Sequence, residues 1–308
     1  MIFATIEYEG GQQICCVDQV GKRAFLIEPF FRQDLSELAI DSNQVKKIPL
    51  TMNEFIEGYC DGWIDDLALF FGSHPEMGIS LDEVRLLAPI PELKRNITCL
   101  GKNYAAHAEE IHGMTGGPSE IPTHPIYFTK AIHTVIGTKE EILSHENITK
   151  KLDYEAELAV VIGRKGIDIP KEKAEEYIFG YAVANDVSAR DLQTGHVQWF
   201  KGKSLTTHCP IGPWIVHKSV LPLPLTLDIK CYVNEELRQS ANTGELIFDV
   251  PSIISDLSRG YELRPGDIIL TGTPAGVGMG FDPPRFLKSG DEVCCMIEGV
   301  GSIVNKVK

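Results

Sequence analysis

KLDYEAELAVVIG, residues 151–163, places three acids, Asp153, Glu155 and Glu157, at alternate positions and then runs into an apolar stretch. Alternation is the period of a β-strand, so the three carboxylates share one face. From Leu158 to Ile162 both faces are apolar, the pattern of a strand buried on both sides. Like charges at the mouth of a buried strand are costly unless a cation sits between them. Glu155 and Glu157, two apart, can both reach one ion. The alternative is an acidic strand edge facing water, and Asp153 suits that role best.

A second stretch, YAVANDVSARD at 181–191, ends its apolar run with Asp186, a third oxygen ligand. Three carboxylates completed by water suit Mg²⁺, Mn²⁺ or Ca²⁺, whereas zinc would favour His or Cys partners. KNYAAHAEEIHG, 102–113, reads as a short helix with Asn103 as cap and Gly113 as stop. His107 and Glu110 are three apart and share a face. A carboxylate beside an imidazole fixes its tautomer and raises its basicity, as a general base requires. An ordinary surface pair has the same spacing, and Glu109 and His112 compete for the roles. His124 and His133, beside apolar runs, read as structural.

GKSLTT, 202–207, lacks the Walker glycine, since Val197 holds its place. Lys203 can instead neutralise a carboxylate ligand or a substrate anion. LTGTPAGVG, 270–278, is a strand entering a Gly-rich loop, which offers N–H groups and a hydroxyl to an anion or forms a plain turn. No phosphate-binding lysine follows on a helix, which argues against nucleotide binding.

With 308 residues the chain has material for one large domain or two. Its net charge of −14 argues against nucleic acid and anionic membrane surfaces. No run approaches the ~18 apolar residues of a membrane span. The start, MIFATIEYEGG, lacks the pattern of a secretory signal. Eight cysteines form no CxxC, and Cys99 and Cys231 read as buried small hydrophobes, so the expected location is the cytoplasm.

Residues 1–30 read as a β-meander, and 53–71 as a helix capped by Asn53, with Ile56, Tyr59, Trp63, Leu67 and Phe70 at helical spacing. Pro89 and Pro91 set a boundary near residue 90: a small α+β domain, 1–90, and a second domain, 91–308. Beyond residue 96 short strands dominate, with short helices around 103–112, 171–178 and 250–259. This is an α+β pattern, not a doubly wound sheet. GMTGGPS, 113–119, reads as a flexible loop.

Five stretches, LGKNYAAHAEE, LDYEAELAVVIG, ANDVSARDLQ, QWFKGKSL and ILTGTPAGVG, in this order resemble the fumarylacetoacetate hydrolase superfamily from about residue 85 onward. The resemblance implies a β-rich roll of layered mixed sheets, a variable N-terminal domain and a homodimer. It implies Glu155, Glu157 and Asp186 as ligands of Mg²⁺ or Mn²⁺, with Ca²⁺ also suited. It places the His107–Glu110 dyad on a lid over 103–119, as in acylpyruvase-like members. Lys203 falls at a catalytic position, and Arg190, Gln193 and Thr273 at positions that line the site. Many members read GRNY where this chain has GKNY, so Lys102 is left out of the expected site. The activity so implied is metal-dependent C–C cleavage of a small 2-oxo or 2,4-dioxo acid: oxaloacetate decarboxylation or acylpyruvate hydrolysis through a chelated pyruvate enolate. Tautomerase or isomerase action on oxaloacetate or a hydroxymuconate-like diacid is the second reading. A partner-binding protein with a vestigial site is the third.

Overall fold

The structure is a computed structural model and describes residues 1–32, 48–115 and 121–308. At its centre lies the strand Ala156–Ile162, buried along its whole length. Ile178–Asn185 and Ile268–Leu270 flank it, both antiparallel. Its alternate side chains enter different cores. Leu158, Val160 and Ile162 pack with Ile229, Cys231, Val293 and Cys295 of a second, four-stranded sheet. Ala159 and Val161 face the other way, into a cluster with Phe3, Phe55 and Trp63. Three layers meet at one strand, which is why its sequence is apolar on both faces. The architecture is the expected α+β arrangement of layered mixed sheets.

Among the described residues the central sheet has twelve strands. The N-terminal meander, Ile2–Tyr8, Gly11–Asp18 and Arg23–Leu26, forms one flank, and Ile97–Gly101 with Ile126–Lys130 the other. The meander joins the sheet edge to edge through Cys209–His217, pairing Ile2 with Val216 and Phe3 with Ile215. Sequence reading passed over Cys209–His217 because Pro210 and Pro213 lie in it, and proline argues against a central strand. Every residue of that strand is nevertheless buried.

Several helix readings need correction. The expected helix over 53–71 is two, Met52–Gly58 and Trp63–Ser73. Gly58, Asp61 and Gly62 interrupt it, and the break shifts the second phase so that Phe71 is buried rather than Phe70. Thr51, not Asn53, caps the first helix by accepting from the Glu54 N–H at 3.2 Å. The Asn53 amide instead donates to the Glu92 carbonyl at 2.7 Å. The stretch at 171–178 is a 3₁₀ segment, Lys171–Tyr177, while Val250–Leu257 is an α-helix capped by Asp249. The helix read at 103–112 spans Ala105–Thr115, running through Gly113. Residues 116–119 of the expected loop lie outside the described residues.

Candidate active site

Cross-strand register builds the acidic cluster. Glu157 pairs with Ala184 and Ala156 with Asn185. Asp186, one residue past its strand, donates its N–H to the Glu155 carbonyl at 2.8 Å. Positions 155 and 157 therefore share a face with 184 and 186. Oxygens of Glu155, Glu157 and Asp186 gather within 4.8 Å, and all three residues are buried.

Three cations answer them. Lys203 Nζ lies 2.6 Å from Glu155 Oε2 and 2.8 Å from Asp186 Oδ2. Arg190 contacts Glu155 Oε1 at 2.6 Å through Nη1 and Asp153 Oδ2 at 2.8 Å through Nε. Lys130, which sequence reasoning missed, is fully buried, with Nζ 2.5 Å from Asp186 Oδ1 and 3.1 Å from the Val187 carbonyl. The signal was a lysine closing the apolar strand IYFTK, since a lysine buried there needs an acid.

These neighbours divide the carboxylates. Burial alone would raise Glu155, but Lys203 and Arg190 outweigh it and hold it at about 2. Glu157 moves the other way: burial, then the charges of Asp186 and Glu155, push it well above the usual carboxylate range. Burial would lower Lys203, yet Asp186 and Glu155 hold it at about 12. The set is all oxygen, without thiolate or imidazole, and a buried like-charge cost remains at Glu157. Both features fit a hard divalent cation, because each carboxylate oxygen has a second lone pair beyond its present partner.

Asp153 corrects the sequence reading. It is not an edge acid facing water but fully buried, holding Arg190 and accepting from the N–H groups of Gly278 at 2.6 Å and Met279 at 3.0 Å. It thus ties the Gly-rich loop to the mouth of the strand.

His107 is buried on the Ala105–Thr115 helix, with Nδ1 3.0 Å from Glu110 Oε2. The other Glu110 oxygen accepts from the Gly276 N–H at 2.9 Å. Glu109 points to solvent, and the side chain of His112 is not among those described. His124 and His133 are exposed and stand outside the site. Asn103 is not a cap. Its amide donates to the carbonyls of Thr271 at 2.8 Å and Phe248 at 3.1 Å, and its oxygen accepts from the Phe248 N–H at 2.8 Å. The side chain thereby locks the start of the helix to the Gly-rich loop.

A cavity of about 320 Å³ opens over the cluster. Its walls carry His107, Glu155, Glu157, Arg190, Gln193, Lys203 and Thr273; Asp186 and Glu110 stand behind them. Arg190 Nη1 also donates to Gln193 Oε1 at 3.0 Å, while the buried Nη2 has no partner among the described residues. The Thr273 hydroxyl is committed, donating to the Ala156 carbonyl at 2.9 Å and accepting from Gln239 Nε2 at 2.8 Å. Lys102, left out of the expected site, is on the wall.

Residues 96–308 match the model for the fumarylacetoacetate (FAA) hydrolase C-terminal family. The chain belongs to the fumarylacetoacetate hydrolase family. It is 51% identical over 228 residues to the oxaloacetate tautomerase YisK of Bacillus subtilis (strain 168), covering 74% of each chain. Among solved structures, a fumarylacetoacetate hydrolase from psychrophilic Exiguobacterium antarcticum is 37% identical at a TM-score of 0.80, covering 100% of this chain and 99% of that one. A maleylpyruvate hydrolase from Sphingobium sp. SYK-6, solved with manganese(II) and pyruvate, is 28% identical at a TM-score of 0.74, covering 100% and 98%. Family membership thus spans tautomerase and hydrolase names on one fold. Among the described residues, no helix is long and apolar enough to cross a membrane.

Proposed function

We propose that this protein interconverts the enol and keto forms of a small 2-oxo acid, with oxaloacetate as the first candidate. The observation that carries the reading is the 51% identity to an oxaloacetate tautomerase, in a chain whose acid cluster and dyad share one cavity. C–C cleavage, the first expectation from sequence, stands second to it.

Tautomerisation moves one proton between C3 and the keto oxygen, so it needs an acid–base group and stabilisation of an enolate. Glu155, Glu157 and Asp186 would hold a divalent cation, Mg²⁺ or Mn²⁺. Such an ion supplies Lewis acidity toward the developing enolate charge. Lys203 and Arg190 keep Glu155 ionised and aimed. Glu110 holds the His107 Nδ1 side, which leaves Nε2 to take or return the proton. Arg190 lines the cavity and would present its guanidinium to the carboxylate next to the keto group. The committed Thr273 hydroxyl shapes the loop rather than donating to substrate.

Acylpyruvate hydrolysis is the second reading. It is favoured by the carboxylate-oriented histidine, which can activate water as readily as move a substrate proton. Real-time proton NMR of fresh oxaloacetate with Mg²⁺, with and without chelator, separates the readings. Faster enol-to-keto conversion without pyruvate supports the tautomerase. Pyruvate above the metal-only background would replace it with a decarboxylase. A spectrum identical to the enzyme-free control rejects oxaloacetate and turns the search to acylpyruvates.

A further inference from the structure

Three cationic side chains line the cavity: Arg190, Lys203 and Lys102. Arg190 and Lys203 are tied to Asp153, Glu155 and Asp186. Lys102 differs, since among the described residues no acid forms an ion pair with it. It is half-buried and lines the cavity.

Its backbone is unusual as well. Lys102 has φ of 56°, in the left-handed region, and no other non-glycine residue on the cavity wall shares that conformation. A long side chain rarely sits there without surrounding structure that imposes it. That structure is present in the next residue. Asn103 makes three side-chain hydrogen bonds to Thr271 and Phe248, and its backbone carbonyl accepts from the Ile247 N–H at 2.9 Å. Gly272, with φ of 100°, allows this approach, since a Cβ there would lie 2.8 Å from the Asn103 Cβ. The chain is thus clamped immediately after Lys102, holding at the wall a lysine that has no acid partner among the described residues.

From this placement we infer that Lys102 is a specificity-determining residue that binds the distal carboxylate of a dicarboxylate substrate. A 2-oxo acid that chelates at the cluster and pairs with Arg190 uses its first carboxylate there. A diacid then carries a second anion toward the rim, where an unpaired ammonium would meet it. The inference rests on the 2-oxo acid reading of the site and adds the residue that meets the distal carboxylate. His196, exposed at the rim, is the rival receptor.

The test uses non-reacting ligands, so it does not depend on turnover. Calorimetry with saturating Mg²⁺ compares malate with its 4-methyl ester, which lacks the distal charge. The wild-type protein should bind malate roughly tenfold or more tighter than the ester, the size of a charge-assisted contact. In Lys102→Met that ratio should collapse toward one, and in Lys102→Arg it should largely return. Met and Lys are both unbranched, so the backbone strain is matched. Should Lys102→Met fail to fold by thermal unfolding, Lys102→Gln takes its place. A wild-type ratio near one overturns the inference. So does a ratio that persists in Lys102→Met, which would point to His196. A loss that Lys102→Arg does not rescue also overturns it, assigning the effect to packing rather than charge. Absence of enol–keto catalysis in the wild type would sink the tautomerase reading while leaving this ratio measurable.

Discussion

Glu155, Glu157 and Asp186 stand on or one residue beyond two hydrogen-bonded strands, with Glu155 and Asp186 each braced by two cations. His107 and Glu110 ride on a helix whose carboxylate reaches the rest of the site through one loop N–H. Register fixes the first group: a strand cannot slip by one residue without turning its acids to the opposite face. The second is tied differently, by the Asn103 side chain at the start of its helix and by the Gly276 N–H at Glu110, rather than by strand register. The strand half would supply what every enolate reaction of a 2-oxo acid needs. The helix half would supply the proton handling that separates tautomerase from hydrolase. A family with both names on one fold is consistent with that division.

The sharpest way to break the comparison is Asp186→Ala. It removes one of the three clustered carboxylates, the one that Lys130 and Lys203 share. Divalent binding by calorimetry and enol–keto catalysis should both fall to background. Lys203 keeps Glu155, but the Lys130 ammonium, left without its carboxylate, should also cost about 3–5 kcal/mol in urea unfolding, as breaking a buried pair does. Asp186→Asn keeps an acceptor oxygen and should lose the metal with a smaller stability cost. Retained metal affinity in either variant would end the case for the cluster as a cation site.

His107→Ala probes the other half. Catalysis should drop roughly 10²–10⁴-fold, the usual worth of general acid–base assistance, with divalent affinity unchanged. If acylpyruvates prove to be substrates, their hydrolysis should vanish while any oxaloacetate decarboxylation survives, since that step needs no activated water. A parallel loss of metal affinity would mean that the halves are one unit.

The same division explains what could be read from sequence. Alternation put Glu155 and Glu157 on one face, and the abrupt end of the 181–186 run picked out Asp186, because strand period is a local property. Asp153 obeys the same period but was assigned to water. Its partners, Arg190 and the N–H groups of Gly278 and Met279, lie 37 to 126 residues away and leave no local trace. Asn103 looked like a cap because Asn often is one, yet distant carbonyls claim its side chain. Lys130 and Cys209–His217 were passed over for related reasons: a lysine normally signals surface and a proline a break, until buried partners override both.

A gentler perturbation enters through the loop. A Cβ at Gly280 would lie 2.0 Å from Glu110 Oε1, so Gly280→Ala must displace the carboxylate. The Gly276 N–H bond to the same oxygen should be lost with it. We expect roughly a tenfold drop in kcat, the worth of one charge-assisted hydrogen bond, with metal affinity intact. An unchanged kcat would show that the Glu110 contact does not orient His107.

The last effect concerns stability in acid and tests whether the sheet half has a weakness of its own. His208, fully buried, has Nε2 3.0 Å from the Leu143 carbonyl, and its Nδ1 has no partner among the described residues. Burial, then the charge of Lys130, holds its imidazole at about 3. The unfolded chain takes up that proton near the ordinary value of about 6.5. Between those values the unfolded state binds more protons, so stability falls as pH drops through this window. Near pH ~5 the loss from this residue should be about 2 kcal/mol. His217, held at about 4 chiefly by burial, acts with the same sign. Urea unfolding of His208→Gln at pH ~7.5 and ~5 should show a flatter pH dependence than the wild type. Equal slopes would place the acid sensitivity elsewhere, and the buried histidine would then be as neutral a spacer as the apolar residues around it.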